Sequence, residues 1–464
     1  MSTFSALIRG LLLLFFSAIT FIAQSQTAAA REEPLRQYIR EGLQSNITLQ
    51  QKHIGLEKAT HALKIAGSYF IPAVSFNAGY THGSGGRAID LPIGDMLNPV
   101  YSTLNQLTET NNFPQVENVK QSFFPQNYYD AHLRTAVPLL NTDLYNNRRL
   151  QHDKVLLQEW EVKAYERELV KDIKLAYYNY LSALEAVKIW QSALALVEQN
   201  LEVNESLLRN GKGLPAAVLR AQSELEGVKA QLQEAESNIQ NAQRYFNFLL
   251  NKPQTSAIEV VQNVEEAVGT VPLLLSQTEA TVAHREELQI IQAGERLNQT
   301  AVQMKQQNWV PKVNAFLDLG AQADNMNYNS QARYYLLGVS LDVPLFSGFR
   351  NRYETRQALL DVKASQLSFE QASQQMQMAA AVAQNNLATA YRNYTAAQQR
   401  LQAAQGYFKL LERGYKEGTN SLIEFIDARN QLTTSQLQLT LTTYKVLSAL
   451  AQYERETSAQ PINH

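Results

Sequence analysis

Apolar residues recur every seven positions along two stretches of the chain. Val218, Leu225, Leu232, Ile239 and Phe246 form one ladder, and Phe425, Leu432, Leu439, Val446 and Tyr453 form a second, each rung 207 residues after its counterpart. Ala221 and Ala428 stand in the same register. Seven-residue steps mark helices packed along a coiled-coil seam, and five matched rungs predict an internal duplication. Ahead of each ladder lies a run free of Gly and Pro, Leu139 to Asn210 and Phe349 to Gln405, rich in good helix formers. A helix of about 65 residues is roughly 100 Å long. Such a helix belongs in a bundle or tube rather than in a compact domain.

Each long run ends in a break followed by a returning helix. The first break is Arg209-Asn210-Gly211-Lys212-Gly213-Leu214-Pro215, and the second runs from Arg413 and Gly414 through Gly418 to Ser421. Gly211 suits a left-handed helix end, and Pro215 suits the first turn of the next helix. Gly211 and Gly418 are again 207 apart, so the two hairpins read as copies. Upstream, two shorter helices are expected over Leu35 to Ser68 and Leu273 to Asn308, each stopped by a proline, Pro72 or Pro311.

After each of those prolines the period drops to two. Val74, Phe76, Ala78 and Tyr80 alternate with polar or small residues, as do Tyr129, Ala131, Leu133, Thr135 and Val137. The same holds for Val313, Ala315, Leu317 and Leu319, and for Tyr335, Leu337, Val339 and Leu341. Four strands with one apolar face follow, over 73–80, 128–137, 312–321 and 333–343. Each has a length that crosses a bilayer when tilted, and tyrosines gather at their ends. The connection from Thr81 to Asn127 reads as a long polar loop. Four strands cannot close a barrel, and an open edge in lipid leaves backbone groups unsatisfied. Three copies sharing one barrel resolve both difficulties.

Composition narrows the function. A net charge of -2 and the lack of a basic stripe argue against nucleic acid as partner. With no cysteine there is neither a disulfide framework nor a thiolate metal site. The seven histidines lack ligand spacing, no Gly-rich phosphate loop follows a strand, and no serine sits in a nucleophile elbow. No enzymatic activity, cofactor or bound metal is therefore expected. At the N-terminus, Arg9, the apolar stretch Leu11 to Ala23 and the small residues Ala28 to Ala30 read as a secretory signal peptide over 1–26, cleaved between 23 and 30.

The expected organisation is a first repeat over 35–252 with its tip near 211, a linker over 253–272, a second repeat over 273–456 with its tip near 418, and a disordered tail over 457–464. This ordered set resembles the TolC-type outer-membrane efflux proteins across nearly the whole mature chain. The most specific piece is Tyr415-x-x-Gly418-Thr419 followed by Glu424-x-x-Asp427-Ala428. Val343-Pro344-Leu345-Phe346-Ser347-Gly348 and Val137-Pro138-Leu139-Leu140 look like the two strand exits. The resemblance implies a mainly α fold with a β part: a homotrimer with a 12-stranded transmembrane β-barrel continuous with a periplasmic α-helical coiled-coil tunnel. It implies an exit duct that spans outer-membrane lipid, docks through a periplasmic adaptor to an inner-membrane transporter, and performs no chemistry of its own.

The site residues follow from the same resemblance. Glu424 and Asp427, spaced i, i+3, match the periplasmic entrance, where three copies would form rings of carboxylates that favour cations and whose pKa values rise through crowding. An arginine that helps lock the closed tip in the family is Asn420 here, and its polar partners on the first tip correspond to Ala216 and Ala217. Arg209, Gly211, Lys212, Gly213, Tyr415 and Gly418 are candidates for contact with the adaptor. On the strands, Asp130, His132, Arg134, Asn314, Asp318 and Asp342 are expected to face the barrel lumen. The competing reading is a periplasmic or secreted coiled-coil scaffold, which accounts for the ladders but not for the four strands.

Overall fold

A computed structural model of the chain describes residues 34–123, 127–260, 264–276, 282, 284–324 and 326–458. The expected signal peptide lies outside these residues, as does the expected tail beyond Ser458. The described chain falls into two compact units. One takes its residues from within Met1–Glu57, Leu156–Gly294 and Ser365–His464, the other from Lys58–Val155 and Glu295–Ala364.

The second unit is built on a four-stranded antiparallel sheet. Its strands are β1 (Ala73–Thr81), β4 (Tyr128–Leu140), β5 (Lys312–Ala323) and β6 (Arg333–Asp342), in that spatial order. β4 runs past its expected end because Pro138 still pairs with Asn314, and the extra residue at Leu139 is absorbed where Leu140 pairs with Val313. β6 stops at Asp342, ahead of Pro344, which cannot donate to a ladder. β1 and β6 are the edges. The expected polar loop between β1 and β4 is largely ordered. It carries a two-stranded sheet, β2 (Ala88–Leu91) with β3 (Val119–Ser122), and a helix, α3 (Ile93–Thr108).

The first unit is helical. Four helices dominate: α4 (Thr142–Arg209) and α9 (Arg350–Glu417), each of 68 residues and each begun in the second unit, with the returning helices α5 (Pro215–Leu249) and α10 (Leu422–Thr457). The expected ladders form half of each seam. In α5 the rungs three residues on, Ala221, Val228, Ala235 and Ala242, are buried more deeply than Val218, Leu225, Leu232 and Ile239. Small residues at one of the two seam positions let the partner helix approach closely. The interior of α9 is likewise mostly alanine: Ala380, Ala383, Ala390, Ala397 and Ala404 are buried around Leu387.

One core cluster of this unit has an aromatic centre. Tyr38, Tyr177 and Phe246 pack ring on ring, with Tyr38 and Phe246 edge-to-face at 5.1 Å. The hydroxyl of Tyr177 donates to the Glu259 carbonyl at 2.8 Å, and that of Tyr38 accepts from the Glu259 amide at the same distance. This strap fixes part of the expected linker against the core.

Two shorter helices differ from expectation. The helix expected over 35–68 is α1 (Pro34–Ser45) and α2 (Ile47–Ser68), divided at Asn46. The Asn46 carboxamide accepts from the Leu49 amide at 3.0 Å as a helix cap, accepts from the Tyr165 hydroxyl at 3.3 Å and donates to the Leu249 carbonyl at 3.0 Å. The helix expected from Leu273 starts at Glu286: Leu273 belongs to the short α7 (Val271–Ser276), which follows α6 (Val264–Gly269), and α8 runs Glu286–Gln306. Arg285 stands before α8, drawn into ion pairs with Glu287 and Glu456. Thr457, expected as the first residue of the tail, instead closes α10, and Ser458 caps it in a left-handed conformation, φ 49°.

Candidate functional site

The sheet has two unlike faces. One presents Val74, Phe76 and Tyr80 of β1, Leu133 of β4, Leu319 of β5, and Tyr335, Leu337, Val339 and Leu341 of β6, all exposed. Phe76 is 70% exposed and Tyr335 78%. A water-facing sheet buries such a face against other elements; here it is bare. Among the described residues, no helix is long and apolar enough to cross a membrane.

The opposite face carries all six lumen candidates. In the cross-strand register Arg134 stands opposite Asp318, His132 opposite Gly320 and Pro138 opposite Asn314, while Asp342 pairs with Lys312. Arg134 forks onto Asp318 with two bonds of 2.8 and 2.7 Å and lies over the Phe316 ring, 5.2 Å from its centre. Asp130 accepts from the Tyr334 hydroxyl at 3.0 Å and lies 3.2 Å from the His132 ring nitrogen. The face is polar, and its most buried acid, Asp318, is matched by a base.

The hairpin tips form the second candidate region. Gly211 and Gly418 both adopt left-handed backbone, φ 69° and 75°, ending α4 and α9 as the sequence predicts. At Gly213 a Cβ would stand 2.7 Å from the Leu208 amide, so only glycine fits. Arg209 and Lys212 are exposed. Tyr415 differs from its neighbours. Its ring stacks on Phe425 at 4.9 Å, and its hydroxyl meets the Asn204 carboxamide at 3.1 and 3.3 Å. It ties α9 to α4 and is committed within the chain.

Glu424 has a local role that spacing to Asp427 did not reveal. It completes a capping box at the start of α10: its carboxylate accepts from the Ser421 amide at 2.7 Å, while the Ser421 hydroxyl meets the Glu424 amide at 3.3 Å. Those bonds, the backbone one first, hold the carboxyl below its ordinary pKa. Within one chain the shift is thus downward, opposite in sign to the crowding expected of a ring. The signal was present in the sequence as Ser421-x-x-Glu424. Asp427 is exposed one turn on.

A further pair escaped sequence reading. Arg429 is buried in α10 and donates to Glu224 of α5 at 2.7 Å, and Glu224 also pairs with Arg220 at 2.6 Å. Burial pulls the Arg429 guanidinium below its ordinary pKa, and the Glu224 carboxylate opposes that shift. An arginine directly after the seam residue Ala428 was the available clue.

The family described as outer membrane efflux protein matches residues 38–252 and 276–455. The chain belongs to that family. It is an outer-membrane protein of the efflux and transport class, and its mainly helical fold with a small sheet is of the TolC channel type. The Outer membrane protein TolC of Escherichia coli K12 is 20% identical over 441 residues, covering 91% of this chain and 81% of that protein. The Alkaline protease secretion protein AprF of Pseudomonas aeruginosa is 19% identical over 333 residues, covering 70% and 69%. The open state of the MtrE outer membrane channel of Neisseria gonorrhoeae aligns with a TM-score of 0.72 at 16% identity, covering 92% of this chain and 89% of that one.

Proposed function

We propose that the chain is one third of an outer-membrane exit duct. Three copies of the four-stranded sheet make a closed barrel of twelve strands, which satisfies the free edges of β1 and β6 and gives the bare apolar face lipid to meet. Six helical hairpins form the tunnel. The observation that carries this reading is the open sheet with an exposed apolar face and a polar face behind it. The duct conducts passively, serving an inner-membrane transporter through a periplasmic adaptor. Names such as alkaline protease secretion protein and efflux protein favour export as the direction of transport.

The two halves of the chain are read as duplicates, supported by the equal length of α4 and α9 and by the matched left-handed glycines. Arg209 and Lys212, exposed at the first tip, are the best placed for adaptor contact, and the glycines shape the turn that presents them. Glu424 and Asp427 form the entrance rings.

Electron microscopy of the mature protein, extracted from outer membranes in detergent, tests the duct. A three-fold particle with a helical tube on the order of 100 Å long is the expected result. A monomer, or a filament soluble without detergent, overturns it. The entrance assignment is tested separately: Glu424→Gln with Asp427→Asn is expected to weaken block of conductance by divalent cations at low salt, and unchanged block removes both residues from the entrance.

A further inference from the structure

The module between β1 and β4 leads from the last residue of β1 to the first of β4, and its helix has two differently occupied faces. One face of α3 is bound to its own chain. Asn98 exchanges two bonds with Val116, donating to its carbonyl at 2.9 Å and accepting from its amide at 2.7 Å. Asn105 does the same with Phe113, at 2.8 and 3.0 Å. These asparagines, seven residues apart, fix the helix against the segment 113–118 and leave its other side free.

That free side is a helical seam. Ile93, Leu97, Val100, Leu104 and Leu107 follow one another at steps of four, three, four and three, the spacing of a coiled-coil stripe. None of the five is buried, and Val100 and Leu107 are 52% and 76% exposed. Helices that lie on a lipid surface carry Lys and Arg on the polar face. α3 has no basic residue, and Asp95 is its one charged residue, held by Asn118 at 3.0 Å. A second copy of the same stripe can therefore meet it without like-charge repulsion. The segment before it hangs from β1, the edge strand that pairs with a second copy in the proposed barrel.

We propose that the α3 stripes of three copies pack on one another at the outer end of the barrel, forming a helical cap across its mouth. This rests on the three-copy reading above. Each helix, of 16 residues and about 24 Å long, contributes a stripe of five apolar side chains, and the Asn98 and Asn105 bonds hold each stripe in place before the copies meet. The cap would give the duct a closure at its outer end, independent of the hairpin tips.

The chain has no cysteine, so introduced thiols report contacts cleanly. Val100→Cys and, separately, Leu107→Cys are placed in the full-length protein and oxidised in outer membranes, with Gln106→Cys on another side of the helix as control. The expected result is a disulfide-linked dimer from at least one stripe variant, two thiols of each three-fold set joining, and none from the control. Particle symmetry is read by microscopy on the same preparations. Three-fold particles without cross-links overturn the cap while leaving the duct intact; absence of three-fold particles overturns the duct itself. Quenching of a fluorophore on Val100→Cys by spin-labelled lipid would place the stripe against the membrane and likewise overturn the cap.

Discussion

Arg429 and Glu224 form a buried ion pair between the returning helices of the two hairpins, at 2.7 Å, a short way behind the tips. Asn204 and Tyr415 join the two outgoing helices nearer the tips. Both contacts tie the first hairpin to the second behind the tips, as Lys174 with Glu454 and Arg455 with Glu168 do farther back.

Arg429→Ala leaves Glu224 facing a cavity with only Arg220 as partner. The loss is expected to be about 3 kcal/mol, the lower end for breaking a buried pair. Thermal unfolding in detergent reads it. Arg429→Met with Glu224→Gln removes both charges and is expected to recover most of the loss.

Ser421→Ala removes the hydroxyl that caps α10 and is expected to cost about 1 kcal/mol. Hydrogen exchange at the first amides of α10 should quicken about fivefold, by the same free energy. Unchanged exchange would mean that the cap contributes nothing at the tip.

The same cap carries a pH signature. Folding lowers the pKa of Glu424, so its charge stabilises the tip above the ordinary carboxylate value, and that stabilisation fades as the pH falls through the lowered one. Gln at 424 keeps a hydrogen-bonding side chain without the charge. The melting difference between the wild type and Glu424→Gln should be present at neutral pH and close as the medium turns strongly acidic. If the entrance rings instead dominate through crowding, the sign reverses: the variant is the more stable at neutral pH, and its advantage fades as the pH falls toward the ordinary carboxylate pKa.

Gly418→Ala forces an L-residue into left-handed backbone at φ 75° and is expected to destabilise by about 1 kcal/mol. Gly227 offers the contrast. It lies inside α5 with nothing within 4 Å of an added Cβ, so Gly227→Ala is expected to stabilise by about 0.5 kcal/mol. Chemical denaturation of the two variants side by side checks both signs.

On the sheet, Asp318 is nearly inaccessible beneath Arg134, its side chain 3% exposed. Asp318→Asn frees the arginine charge toward the polar face. Reversal potentials in planar bilayers are expected to move toward anion selectivity, and Arg134→Gln should move them the other way. No shift in either variant would take this face out of the conduction path.

Periodicity carried most of the fold. The ladders, the two Gly- and Pro-free runs and the alternation after Pro72 and Pro311 located the long helices and the four main strands to within a few residues, because each pattern repeats often enough to outweigh local exceptions. Single residues with tertiary partners were what the pattern missed. Asn46 divides a helix because its carboxamide has a partner on the distant Leu249. Arg285 stands outside one because of Glu456. The stripe of α3 was hidden by Pro92 and Pro99, which punctuate the segment as a loop, although Pro99 is housed inside the helix. At the tips, glycines were legible from turn chemistry, whereas the inward turn of Tyr415 depends on Asn204, which is 211 residues away.

The uneven distribution of side-chain bulk gives the helical unit a mechanical character. Around Tyr38, Tyr177 and Phe246 the helices are clamped by interlocked rings, whereas the buried positions of α5 nearer its tip, and of α9, are filled largely by alanine. Alanine presents almost no ridge to a neighbouring helix, so one helix can slide or rotate on another with little loss of contact. The first hairpin is then a cantilever, stiff where the aromatic clamp grips it and compliant toward its free end. Bending it loads the two polar ties behind the tips first, and the clamp need not yield for the ends to part.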